Sequence, residues 1–396
     1  MMIVRWLPAA ALVAFGLTGP VFAQAAAQDQ PQAVRAAVTD HVAASVAVLD
    51  LLTGAVLARF ETGGPGGLRP GAAPGQLSLA QGPAGRVDVV DLGLGVESHG
   101  DHADLAISPP RLLPRVAEGP KPSHVLGGNG RLASFFDGDG SIVLAQDGQT
   151  RRLSANVAHH GLAYPFLASE GPRLLVSHAA SPGARPGGVV LLDEAGAELA
   201  RRDDCPRLHG EAQSNRVIGL GCGDGVLLLD TRTQRFRKVA YPAGGEAGRM
   251  VRSLAGGADF HLFAGDFGPQ AMTILDPDAG SFAVVELPAR RLAFTLDPQR
   301  AAALFVLTED GRIHRIDTLN GRIAASAAAV PRYSLEGGAA VARPRLSAAG
   351  GLLAVTDPAR GRVLVLDAAT LAPLREIALG GAPLNVLALA ASGERH

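Results

Sequence analysis

The chain has 396 residues, with 36 Lys and Arg against 37 Asp and Glu for a formal net charge of −1. That balance offers no basic field for nucleic acid or an anionic membrane, which removes nucleic-acid partners from the reading. With two cysteines and few aromatics, the eleven histidines are the conspicuous chemistry.

In chain order, Arg5, the apolar run Leu7 to Leu17 and Val21-Phe22-Ala23 follow the plan of a secretory signal: a positive start, a short apolar core, and small residues before a cut. Cleavage after Ala23 leaves Gln24 as the mature start and removes Trp6, the only tryptophan. The apolar run is short and interrupted by Pro8 and Gly16, and no later segment is long enough to span a bilayer. The mature chain is therefore read as soluble, exported and not membrane-inserted, and with no lipobox cysteine near the cut the periplasm is the simplest destination. Residues 24–43, rich in Ala and Gln to about Asp40, read as a flexible leader, with the folded domain spanning 44–396.

From Val46 onward one pattern recurs: an extended run ending in Leu-Asp or Ile-Asp, a turn often containing Gly, then a second extended run. Copies are VAVLDLLTGAVLARF at Val46, VDVVDLG at Val87, VVLLDEAGAELARR at Val189, VLLLDTRTQRFRKV at Val226, MTILDPDAGSFAVVEL at Met272, IHRIDTLNGRIAAS at Ile313 and VLVLDAATLAPLREI at Val363, with a degenerate SIVLAQDGQTRRL at Ser141. Each alternates apolar and polar residues about a tight turn, which predicts a β-hairpin. Further extended runs lie between copies, and Gly63 to Gly75, almost all Gly, Pro and Ala, reads as an irregular link. Four short strands per roughly 40 to 50 residues predict an all-β chain folded as a single β-propeller. The copies allow seven or eight blades and favour eight. The first hairpin, Val46 to Phe60, has no preceding strands, and the chain ends in a lone strand at Asn385 to Ala390, so the N- and C-terminal strands are expected to share the closing blade.

Seven histidines fall between His99 and His209, and the densest stretch is His99-Gly100-Asp101-His102-Ala103-Asp104. Imidazole and carboxylate together suit zinc, which accepts both in a tetrahedral shell. The competing reading is a surface loop whose histidines titrate near neutral pH. His124, His160, His209 and His261 each stand before an extended run, so they are expected at equivalent blade positions that converge near the channel on one face. The His99–Asp104 loop is expected at the rim of that same face. Asp101, Glu97 and Glu211 are candidates to orient the imidazoles. His178, His314 and His396 are assigned no site role, being a strand position, an outward mid-strand position and the terminus.

Cys205 and Cys222 are read first as a disulfide, given an even count and an oxidising compartment. The alternative makes them thiolate zinc ligands with His209, although the spacing lacks a CxxC knuckle.

With HGDHAD, Pro122-Ser123-His124, HHGLAYP at His159 and CPRLHGE at Cys205 placed, the chain resembles the AztD family from about Ser45 to its end. That resemblance implies a periplasmic propeller metallochaperone that delivers Zn(II) by direct contact to the solute-binding protein of a zinc ABC importer. The candidate ligands it implies are His99, His102, Asp104, His124, His159, His160 and His209. A carrier favours imidazole and carboxylate ligands that exchange one at a time, whereas a closed thiolate shell releases metal poorly. The chain has only His41 in its leader and no long His-rich stretch there, which puts a separate N-terminal metal site in doubt.

Two other readings stand beside it. One is a propeller enzyme of lactonase or hydrolase type using a bound metal, but no nucleophile elbow, tryptophan floor or acid–base pair is evident and the chain is read as a non-enzyme. The other is a metal-free propeller that binds proteins.

Overall fold

A computed structural model describes residues 32–155, 157, 160–242, 249–297, 303–336, 338 and 341–394. The proposed signal at 1–23 lies outside them. The described residues form eight four-stranded antiparallel sheets and one two-stranded hairpin. First strands of neighbouring sheets contact one another, which makes them the innermost strands of an eight-bladed propeller. From blade 2 to blade 8 these innermost strands are Gly67–Pro70, Pro122–Gly128, Ala163–Ala168, Glu211–Ser214, Leu254–Ala255, Arg291–Leu296 and Leu346–Ala349.

The recurring Leu-Asp has a local cause. Oδ1 of Asp50 accepts backbone N–H bonds from Leu52 and Thr53. Asp230, Asp276 and Asp367 do the same two and three residues on. Each aspartate thus caps the turn between the third and fourth strands of its blade, while the apolar residues before it bury between blades.

Blade 1 is the closing blade. The C-terminal strand Pro383–Ser392 is its innermost member, followed by Gln32–Asp40, Ser45–Asp50 and Val56–Glu61. The leader expected over 24–43 is therefore corrected from Gln32 on, because Gln32–Asp40 pairs along its length with Pro383–Ser392. Its alanines are not a sign of flexibility. Val34, Ala36 and Val38 pack toward blade 8, and Ala33 and Ala37 toward blade 2, so both faces are buried and small side chains fit. Composition alone missed this strand because its partner lies at the other end of the chain.

Strand direction now fixes two faces. Innermost strands all start at one face, here called the upper face, and end at the lower one. A six-residue strand separates them by about 20 Å. In antiparallel order the third strand of a blade also ends at the lower face. In blade 2 the hairpin Leu94–Ser98 and Ala103–Ile107 is inserted between the third strand, Arg86–Asp91, and the outer strand, Arg111–Glu118. It therefore projects from the lower face.

Candidate metal centres

At the upper face, the starts of the innermost strands of blades 3, 4 and 5 bring His124, His160, His209 and Glu211 together. A register shift between Pro122 and His124 interrupts the blade 3 ladder at this point. His124 Nδ1 lies 2.9 Å from Glu211 Oε1, joining blade 3 to blade 5. His160 holds a left-handed backbone with φ +55°, sparsely populated for a residue with a Cβ. Gly161 follows because a Cβ there would stand 2.0 Å from the Phe135 ring. This strained turn brings the His160 ring within 5.5 Å of the His209 ring, centroid to centroid.

Hydrogen bonding prepares these groups for a cation. His209 Nδ1 donates to the Arg252 carbonyl at 2.8 Å. A carbonyl only accepts, so the proton of a neutral ring sits on Nδ1 and Nε2 presents its lone pair. Glu211 is almost fully buried, and its Oε2 has no hydrogen-bond partner among the described residues. Burial alone would raise the Glu211 carboxyl, but the neighbouring His124, Arg69 and His209 hold it below the ordinary value. The negative charge of Glu211 in turn holds His124 above the usual imidazole value despite burial. The phenol of Tyr164 is pushed up by burial and by Glu211, so it stays neutral. An ionised carboxylate with one orphaned oxygen beside imidazole nitrogens is a donor set that suits zinc.

At the lower face, His99 Nε2 is 3.1 Å from Asp104 Oδ2, and His102 Nε2 is 3.5 Å from Asp104 Oδ1. The two imidazoles stack with centroids 5.4 Å apart. Asp101 Oδ1 lies 2.8 Å from His102 Nδ1, and Glu97 pairs with Asp104 across the hairpin. Glu394 completes the group: one ligand atom each from His102, Asp104 and Glu394 fall within 4.8 Å of one another.

The expectation that this loop shares a face with His124 is therefore corrected. Third-strand direction sends the hairpin to the opposite face, and nothing in the loop's own sequence signals that. His261 is corrected for the same reason. It lies between the first and second strands of blade 6, at the lower face, where its Nε2 meets Asp276 Oδ1 at 3.1 Å. His314 was expected to point outward but is buried, with Nδ1 at 2.7 Å from Ser326 Oγ and Nε2 at 3.1 Å from Thr308 Oγ1. His178 meets Arg201 and Asp203 at the upper end of the second strand of blade 4. His159 and His396 lie outside the described residues.

Cys205 and Cys222 form a disulfide with Cα atoms 4.9 Å apart, so the thiolate-ligand alternative is set aside. The bridge pins the segment that carries His209, whose N–H donates to the Gly221 carbonyl. Two carboxylates are more central than the sequence suggested. Glu211 touches His124 directly, and its signal was its place two residues after His209 at a strand start. Glu394 gave no signal, since Asp104 and His102 lie about 290 residues earlier in the chain.

No family model matches the chain. It is similar to the zinc chaperone AztD of Citrobacter koseri, with 33% identity over 380 residues, 93% of this chain and 90% of that protein. The crystal structure of Citrobacter koseri AztD superposes with a TM-score of 0.86 at 32% identity, covering 92% of this chain and all of that one. An apo AztD structure from the same organism gives 0.82 at the same identity and coverage. The dihydro-heme d1 dehydrogenase NirN, at 13% identity and a TM-score of 0.60 over 89% of this chain and 74% of its own, shares the fold alone.

Proposed function

The chain belongs to the AztD family of zinc chaperones, and on that premise we propose that it carries Zn(II) in the periplasm and hands it by direct contact to the solute-binding protein of a zinc ABC importer. The proposed route there is the signal at residues 1–23, cut after Ala23. Among the described residues no helix is long and apolar enough to cross a membrane.

The observation that supports this reading most is the upper mouth, where His124 meets the buried Glu211 carboxylate, whose Oε2 is unbonded among the described residues, and the His160 and His209 rings pair at the neighbouring strand starts. His124, His160, His209 and Glu211 are the proposed zinc ligands there, with His159 beside them in sequence. His99, His102 and Asp104 are the proposed ligands of a second, more open group. Zinc is the cargo in both, held by donors that a docked acceptor replaces one at a time. Exchange across a contact avoids a fully dissociated ion, which is the reason to propose direct transfer.

The test is elemental analysis of the exported protein followed by transfer to an acceptor solute-binding protein. Bound zinc, and transfer that is fast in mixture but slow across a dialysis membrane, are expected. Absence of zinc even after reconstitution overturns the carrier reading, and equal transfer across the membrane overturns direct contact. Purified exported protein should also lack tryptophan emission, because Trp6 departs with the signal.

A further inference from the structure

We propose that Glu394 is a third ligand of the lower-face metal group, and that a cation bound by His102, Asp104 and Glu394 clasps the strand that closes the propeller ring. This rests on the reading of the His99–Asp104 loop as metal-binding.

The hairpin that carries the loop is gripped from both ends of the chain. Near the N-terminus, Arg35 of the closing blade is buried, and its guanidinium donates to the carbonyls of Leu92, Gly93 and Ser108, the residues that frame the hairpin base. At the C-terminus, the tail beyond Pro383–Ser392 lies against the hairpin as a short parallel bridge between Asp104 and Glu394. Glu394 N–H donates to the Ala103 carbonyl at 2.7 Å, and Leu105 N–H donates to the Glu394 carbonyl at 2.8 Å. Gly393 makes that approach possible, since a Cβ there would stand 2.6 Å from Ala103 O and 2.7 Å from Leu105 N.

Those contacts put the Glu394 carboxylate beside His102 and Asp104, within the span that one cation bridges. His102 is already oriented by Asp101 through Nδ1, which leaves Nε2 toward the group. The innermost strand of the closing blade is held to the rest of the ring by non-covalent pairing with Gln32–Asp40 and by packing on blade 8. A metal that ties Glu394, two residues beyond that strand, to blade 2 adds a cross-link on the far side of the seam. Because the metal binds the clasped form better than the open one, occupancy stabilises closure by mass action. A zinc-replete chain would then resist opening at its termini, and a depleted one would fray there first.

The test uses the purified full chain with Zn2+ as the probe. Calorimetric titration is paired with hydrogen exchange of the segment 386–394. In the wild-type chain, zinc is expected to slow exchange across this segment by about tenfold or more, and Glu394→Gln to weaken the lower-face binding step by about tenfold and remove the protection. Glu394→Asp, which keeps a carboxylate, should restore part of both. If Glu394→Gln keeps both the binding step and the protection, the clasp is overturned while the lower face remains a metal site. If His102→Asn leaves the titration unchanged, the reading of the lower face as metal-binding falls first, and the clasp with it.

Discussion

The upper mouth and the lower-face hairpin draw on the same donors, imidazole and carboxylate, but assemble them in opposite ways. The mouth joins residues as far apart as His124 and Glu211, 87 positions in sequence, through the innermost strands of different blades. The hairpin presents His99, His102 and Asp104 within six consecutive residues and borrows Glu394 from the chain end. The buried element of the mouth is its carboxylate, for His160 and His209 are exposed there as His99 is on the hairpin. The Glu211 side chain keeps 6% of its surface, whereas His99 keeps 49% and His102 34%. On the proposed reading, the buried Glu211 carboxylate is costly until a cation reaches it, and the mouth holds metal more tightly than the hairpin. The hairpin imidazoles stay partly open to water, and on the same reading that group exchanges metal more readily. On that reading the denser run of ligands in sequence belongs to the weaker holder, and the shared blade register to the stronger.

The variant expected to break this contrast most is His124→Ala. It leaves the Glu211 carboxylate buried without its partner, a change that costs about 3–5 kcal/mol when a buried pair loses one member. Denaturant unfolding of the apo protein should show that loss, and competition titration should show zinc affinity at the mouth falling by at least about 100-fold. An apo stability within error of wild type would mean that Glu211 is not in need of compensation. The comparable change on the hairpin, His102→Ala, should leave apo stability nearly unaltered because the ring is exposed to water.

Next in size is the disulfide. Cys205 and Cys222 close a loop of 17 residues, for which the chain-entropy estimate gives roughly 3 kcal/mol. Reducing the bridge, or replacing both cysteines with serine, should lower stability by that order. It should also weaken the mouth before the hairpin, because the bridge holds the segment that carries His209 and Glu211. Equal loss at both groups would show that the bridge acts on the whole ring rather than on blade 5.

The sequence shows the propeller and much of the mouth, for an identifiable reason. The Leu-Asp repeats are local, since each aspartate caps its own turn, and the same spacing placed His124, His160 and His209 at strand starts. What stayed hidden depends on pairing across the chain. Gln32–Asp40 reads as a leader until Pro383–Ser392 is beside it. The side of the propeller taken by the HGDHAD loop follows from the direction of the preceding strand, a property its own residues do not encode. His261 was misplaced because Leu254–Ala255 is only two residues long and the strand after His261 looked like the first of its blade. His314 looked outward because strand alternation does not tell which face of a propeller sheet is solvent when both faces pack on neighbouring blades.

A smaller effect tests whether the two groups are independent. With the mouth and hairpin on opposite faces, substitutions in each should add. His102→Ala should remove one binding step from a zinc titration and leave the other within about 0.5 kcal/mol of its wild-type value. The double substitution His102→Ala with His209→Ala should lose both steps with no further penalty. A larger coupling would mean that metal at the seam alters the mouth through the closing blade, which joins blade 2 to blade 8.

The smallest expected effect separates histidines by what surrounds them rather than by where they lie. Burial depresses His314 below the usual imidazole value, although Asp310 opposes the shift. The folded state therefore binds this proton less readily than the unfolded chain does. Stability from His314 is present above the unfolded value near 6.5 and is lost as pH falls through it. His124 has the opposite sign, because Glu211 raises it: its contribution is full below about 6.5 and is lost as pH rises through the folded value. Apo stability measured from about pH 5 to pH 8 should thus change shape in opposite directions in two variants. His314→Gln should flatten the acid side of the curve, since no imidazole remains to be charged in the core. Glu211→Gln should flatten the alkaline side, since His124 then has no carboxylate to hold its proton. If His314→Gln steepens the acid side instead, the Thr308 and Ser326 bonds are accommodating the charged ring, and His314 behaves like the mouth histidine it was contrasted with.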